Sequence, residues 1–149
     1  MEKLLHYTWK HRLLPLAGLR TADGRELEVI DPGLPNGDAG PDFFNAKVRI
    51  GGTLWVGNVE LHDRASDWHA HGHDRDRAYD NVVLHVVGEA DAVATDSSGR
   101  AVAQVQVAVP EAVARAYAEL QAADSLPPCR HAVATLPRLA VSSWLAALQ

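Results

Sequence analysis

Two periods of hydrophobic and polar residues alternate along this chain. Near the start, Leu5, Trp9 and Leu13 recur every four residues with Leu4 and Thr8 beside them, which predicts a helix over 2–14 with one apolar face. Pro15 ends it. His6, Lys10 and His11 fall mostly off that stripe, and Glu2 reads as a solvated first-turn acid. Beyond the turn formers at 21–24 the period drops to two. Leu27 and Val29 on one side, against Glu26 and Glu28 on the other, predict a strand over 26–31. Residues 31–41 are dense in Gly, Pro, Asn and Asp, and they predict a shaped loop that delivers Asp42 to the next strand.

Alternating runs over 43–50 and 53–62, joined by Gly51-Gly52, predict a β-hairpin. Parity places Val56, Asn58, Glu60 and His62 on one face of its second strand, and Trp55, Val59 and Leu61 on the other. A strand face ending in Asn, Glu and His is expected to line a site. The polar stretch 63–80 is rich in histidine, with Ser66-Asp67 opening a short helix that Gly72 limits. Residues 81–87 are almost wholly apolar, as in a central strand covered on both faces, with His85 in the middle.

A turn at 96–99 leads to a strand over 101–109, where Gln104 and Gln106 oppose Val105 and Val107. Pro110 opens a helix over 111–123. Residues 126–136 are irregular, and an amphipathic helix starting at Pro137 reaches Gln149 without a C-cap. The expected fold is mixed α+β, a central mixed, largely antiparallel sheet flanked by helices. The expected organisation is one domain over 1–125, and over 126–149 the start of a further helical region that continues in a longer protein.

Composition narrows the classes. A chain of 149 residues, 47% hydrophobic and 22% charged, is ordinary for a compact domain. Its single cysteine, Cys129, excludes an internal disulfide and a thiolate metal cluster. No run approaches the roughly 20 apolar residues of a membrane helix, and the first residues are too polar for a secretory signal, so the expected location is cytoplasmic. A net charge of −5 does not favour nonspecific nucleic-acid binding, though acids gathered around a cation would account for part of it. Neither a Gly-rich phosphate loop nor a Ser/His/Asp or Cys/His nucleophile arrangement is readable, and nothing sets an oligomeric state.

Two candidate centres follow. Asp42 and Glu60, delivered to the ends of paired strands, suit Mg²⁺ or Mn²⁺, with the Leu61 carbonyl as a third oxygen and His62 as base or orienting group. Alternatively His69, His71 and His73, together with His62, offer nitrogen ligands that suit Zn²⁺, as in a metal-dependent hydrolase acting on a substrate other than nucleic acid. In a strand all three of the run would share a face; in a helix only His69 and His73 would. Asn58 and His85 are outer partners or alternative ligands, and His85 is expected near Glu60 or His62 if its strand lies beside theirs. Each residue also has a plain structural role open to it. Asp42 closes a turn, Glu60 and His62 end a strand, the histidine run is a polar loop, and Trp55 and Trp68 pack.

Pro41-Asp42, a strand, a short turn and then Glu60-Leu61-His62 resemble the PD-(D/E)XK nuclease core, in which a helix and a first strand come before the Asp. That resemblance implies metal ligation by Asp42 and Glu60 and phosphodiester hydrolysis on DNA or RNA; the alternative is a catalytically inactive module that keeps the fold and binds nucleic acid or a protein partner. A histidine stands at position 62 where the pattern has lysine. A more specific likeness rests on EVIDPG, AGPDFFNAKVRIGGTLWVGNVELH, SDWHAHGHD and AYDNVVLHVV. Through them the chain resembles the N-terminal part of a bacterial domain-of-unknown-function family, number 2851, which implies no established activity.

Overall fold

The computed structural model describes residues 1–15 and 18–124. Helix α1 (Glu2–Lys10) is followed by β1 (Leu27–Asp31), the two-residue β2 (Leu34–Pro35), and the hairpin of β3 (Phe43–Ile50) and β4 (Thr53–Arg64). A short helix α2 (Asp67–Ala70) and two 3-10 turns, His73–Arg75 and Arg77–Tyr79, lead to β5 (Val82–Glu89). Strand β6 (Gln104–Gln106) and helix α3 (Glu111–Asp124) complete the described elements. The expected helical region beyond residue 125, and Cys129 with it, lies outside the described residues.

The sheet runs β1-β3-β4-β5-β6, with β2 paired to β3. Its first pairings are antiparallel, and the hairpin turns on Gly51 and Gly52, both at positive φ (55° and 85°), as a primed two-residue turn needs. From β4 onwards the pairings are parallel, β4 with β5 and β5 with β6. The mixed sheet therefore changes character at β4, which has an antiparallel neighbour on one side and a parallel neighbour on the other.

Helix α1 covers one face. Leu5 and Trp9 pack with Phe43, Val48, Val59, Leu61, Leu84 and Val86 in a single apolar cluster. The Trp9 indole also donates to the Pro32 carbonyl (3.0 Å), which ties the helix to the shaped loop. The connection from β4 to β5 covers the other face with a smaller cluster of Trp68, Tyr79, Val82 and Ala94.

Several expectations are corrected. Helix α1 ends at Lys10 rather than 14, because Arg12 takes a left-handed conformation (φ 55°). Leu14 rather than Leu13 then reaches the core. The strand expected over 101–109 shrinks to 104–106. Trp55 is 47% exposed although its β3 partner Val48 is buried, because β5 begins only opposite Asn58 and leaves this end of β4 as a sheet edge, whereas Trp68 is wholly buried.

Candidate metal centre

Strand parity and the parallel pairing together build the site. In β4, Val59 and Leu61 turn into the α1 core while Glu60 and His62 face the β4–β5 connection, and all four are buried. Pairing of β5 sets His85 beside Glu60, and pairing of β6 sets Gln104 beside His85, so the three strands lay one polar row across the sheet. The connection then folds back over this row. Ser66 starts α2 but makes no side-chain cap; its N–H and hydroxyl bond Asp91 (2.9 and 2.7 Å). Helix α2 stops at Ala70, and Gly72 takes a left-handed turn (φ 73°). That turn, neither strand nor helix, aims His71 and His73 at one point.

At that point four side-chain atoms converge. The Nε2 of His62 lies 3.1 Å from His71 Nδ1 and 3.6 Å from Glu60 Oε1, and His73 Nε2 lies 3.2 Å from the same oxygen. The ligand atoms of His62, His71 and His73 all fall within 4.8 Å of one another. Ligands around a tetrahedral zinc ion sit about 3.3–3.5 Å apart, and the contacts of 3.1, 3.2 and 3.6 Å lie near that spacing. His71 is exposed and forms the mouth, while His62 and His73 are buried.

The donor chemistry fits a divalent ion in a second respect. His73 is 6% exposed, yet neither ring nitrogen has a hydrogen-bond partner among the described residues, and its Nε2 approaches Glu60 out of line. A buried imidazole left this way costs free energy unless a ligand engages it. Its ring stacks on Tyr79 (3.7 Å), which holds it in place from behind. Three imidazoles and a carboxylate favour zinc or a similar transition metal over magnesium, which prefers oxygen.

Burial sets the protonation of this region. It pushes His62 down to about 3, with the neighbouring histidines adding to the effect, and His85 down to about 4, so both are neutral at pH 7. Burial also raises Glu60 above its ordinary range and Tyr79 up to about 12. Closer to solvent, the Asp42 carboxylate raises His6.

Asp42 and Glu60 do come together, but they brace one another through the backbone. The Asp42 N–H donates to Glu60 Oε2 (3.0 Å), and the Leu61 N–H donates to Asp42 Oδ2 (2.9 Å). The loop ahead of Asp42 is held by Asn36, whose side chain donates to the Ala39 and Pro41 carbonyls (3.2 and 3.0 Å). Only Glu60 Oε1 turns to the histidines.

His69 is not part of the cluster. Its Nε2 lies 2.7 Å from the Val93 carbonyl and its Nδ1 faces Asp74. Asn58 sits two residues back on the same strand face, its N–H bonded to the Asn81 carbonyl (2.8 Å). Sequence reasoning missed His6, whose Nε2 lies 3.2 Å from Asp42 Oδ2, and Gln104, whose Oε1 lies 2.8 Å from His85 Nδ1. The alternation around Gln104 marked a polar strand face, but nothing local tied that face to β4.

Fold and site together define a mixed α/β domain with a buried histidine–carboxylate cluster on one face of its sheet. The chain belongs to the family described as "Protein of unknown function (DUF2851)", whose model matches residues 2–149. No curated protein and no solved structure matches it. Among the described residues, no helix is long and apolar enough to cross a membrane.

Proposed function

We propose that this protein is a metal-dependent hydrolase whose divalent transition metal is held by His62, His71 and His73, with Glu60 beside it as a fourth ligand. The observation that carries this reading is the gathering of three imidazoles within 4.8 Å of one another, two of them beside a buried carboxylate oxygen. A bound ion would supply Lewis acidity, polarising the scissile group and easing deprotonation of water. Glu60, lifted above the ordinary carboxylate range by burial, has the chemistry to ligate or to exchange a proton. Phosphodiesters are the substrate class this reading favours. Support comes from the order of elements: a helix, a strand, a hairpin entered at Asp42 with Glu-X-His on its second strand, then a crossover to a parallel neighbour.

A second reading places Mg²⁺ or Mn²⁺ at Asp42, Glu60 and the Leu61 carbonyl, and the cross-bracing of the two acids in one corner favours it. One experiment separates the readings. The full chain is incubated with DNA and with RNA under Mg²⁺, Mn²⁺ or Zn²⁺, alongside His73→Phe and Asp42→Asn. The histidine centre predicts cleavage with Zn²⁺ or Mn²⁺ that falls more than about 100-fold in His73→Phe, beyond the loss typical of an outer partner. Cleavage with Mg²⁺ that survives His73→Phe but not Asp42→Asn would move the ion to the acids. Folded protein that cleaves neither polymer under any of these ions would sink the phosphodiesterase reading and leave a hydrolase of another substrate class or a binding module.

A further inference from the structure

A row of hydrogen bonds runs behind the histidine cluster, and one backbone carbonyl decides the position of every proton in it. Gln104 Nε2 donates to the carbonyl of Ala92 (2.9 Å). A carbonyl oxygen only accepts, so the amide nitrogen must face it and Gln104 Oε1 must face the other way. That oxygen lies 2.8 Å from His85 Nδ1, which therefore carries a proton. His85 is wholly buried, with Trp68 packed against it at 5.0 Å, and among the described residues no carboxylate hydrogen-bonds its ring. A neutral imidazole holds one ring proton, so His85 Nε2 is bare. This bare nitrogen lies 2.8 Å from His62 Nδ1, which must in turn be the donor. His62 is 1% exposed, and the carboxylate oxygen beside it, Glu60 Oε1, stands 3.6 Å from its Nε2, beyond hydrogen-bond reach, so this ring too is neutral and its bare Nε2 faces His71 and Glu60.

We propose that Gln104 and His85 are positioning residues, a two-step relay anchored on the Ala92 carbonyl that locks His62 in the Nδ1-protonated tautomer and presents its bare Nε2 to the metal centre. The relay also sets the ring's orientation, because rotating His62 would break its bond to His85. It rests on the reading of His62 Nε2 as a ligand atom, and it explains why two polar side chains, His85 and Gln104, lie buried in the parallel half of the sheet. Metal-binding histidines commonly have their second nitrogen held by such an acceptor, most often a carbonyl or carboxylate. Here the acceptor is another imidazole, and an amide fixes the tautomer of that imidazole.

Two measurements on the full chain test the relay. Long-range proton–nitrogen correlation spectra of the labelled, metal-free protein report which nitrogen of His62 carries the proton. The expected result is Nδ1 for both His62 and His85, and a proton on His62 Nε2 would overturn the relay. Zn²⁺ affinity is then measured by competition with a chromophoric chelator. Gln104→Met keeps the length of the side chain but removes the acceptor, and an affinity loss of about 10- to 100-fold is expected. The spectra of Gln104→Met should show His85 and His62 no longer held in one tautomer, a change that a packing role would not produce. Weakened affinity with both tautomers unchanged would assign Gln104 to packing alone and overturn its role, as would wild-type affinity in folded Gln104→Met. If Gln104→Met does not fold, the tautomer of the wild-type chain decides. If the wild-type chain binds no Zn²⁺, Mn²⁺ or Co²⁺, the metal-centre reading fails, and the tautomer measurement still judges the relay by itself.

Discussion

Successive residues of β4 do opposite kinds of work at the same depth. Val59 and Leu61 are wholly buried, and Glu60 and His62 are 5% and 1% exposed. The first pair lies against hydrocarbon from α1 and the neighbouring strands. The second lies against imidazole, carboxylate and amide. Burying the first pair stabilises the fold by removing apolar surface from water. Burying the second costs desolvation that its hydrogen bonds only partly offset. One strand thus separates a face that holds the molecule together from a face that holds reactive groups in place, and depth alone distinguishes nothing.

The contrast should break most visibly at Leu61. Leu61→Ala is expected to cost about 2–5 kcal/mol in urea unfolding, since it opens a cavity in the dry face. On the polar face, His73→Phe should cost less, about 1–3 kcal/mol without metal, because it keeps a ring against Tyr79 but takes the imidazole from beside the buried Glu60 oxygen (3.2 Å). It also removes ligand-linked stabilisation. Zn²⁺ at 100 times its Kd should stabilise the wild-type chain by about 2.7 kcal/mol, read as a Tm rise that a chelator reverses. A Tm rise that persists in His73→Phe would put the ion elsewhere.

Acid should sharpen the same comparison. Two of the buried histidines have folded values below the unfolded 6.5, about 3 for His62 and about 4 for His85. Between pH 6.5 and about 4 the unfolded chain therefore binds protons that the folded chain refuses. Metal-free stability should fall on acidification across that window, by about 1.4 kcal/mol per pH unit for each histidine. Glu60 works in the opposite sense, because its raised value makes the folded chain the better proton binder near the bottom of the window. Denaturant midpoints at successive pH values measure the balance, and a midpoint that rises with acid would refute it. The smallest effect belongs to neither face. Arg64→Ala removes an exposed ion pair with Glu89 (3.1 Å) and should leave the denaturant midpoint unchanged within error, because solvent screens the pair.

How much of this is legible in the chain depends on range. The parity of β4 is readable because period two is local, and it separates Glu60 and His62 from Val59 and Leu61 on sequence alone. The placement of His85 is readable as a conditional, met once β5 lies beside β4. The histidine run is not readable, because its geometry depends on a left-handed Gly72 between a clipped helix and a 3-10 turn. Helical spacing would pair His69 with His73, whereas the fold turns His69 out to Val93 and brings in His71. Gln104 escapes detection because its partner is 19 residues away, across a parallel pairing that no local pattern encodes. The role of Asp42 is half legible. Its nearness to Glu60 follows from the hairpin, but its acceptance of the Leu61 N–H is a matter of loop shape.

The buried Trp68 gives this domain an optical handle. Its indole is sealed from solvent, donates to the Thr95 carbonyl (2.8 Å), and has His73 and His85 at ring distances of 5.3 and 5.0 Å. Trp55 stands half in water at the far end of the hairpin, and Trp9 is buried against the opposite face of the sheet. Emission from Trp68 and Trp55 should separate in colour, blue from the sealed indole and red from the wet one. Trp68 has the histidines as neighbours, so its light should respond when a cation fills their pocket. A chain with Trp9, Trp55 and Trp144 replaced by Phe would report that event from this single indole.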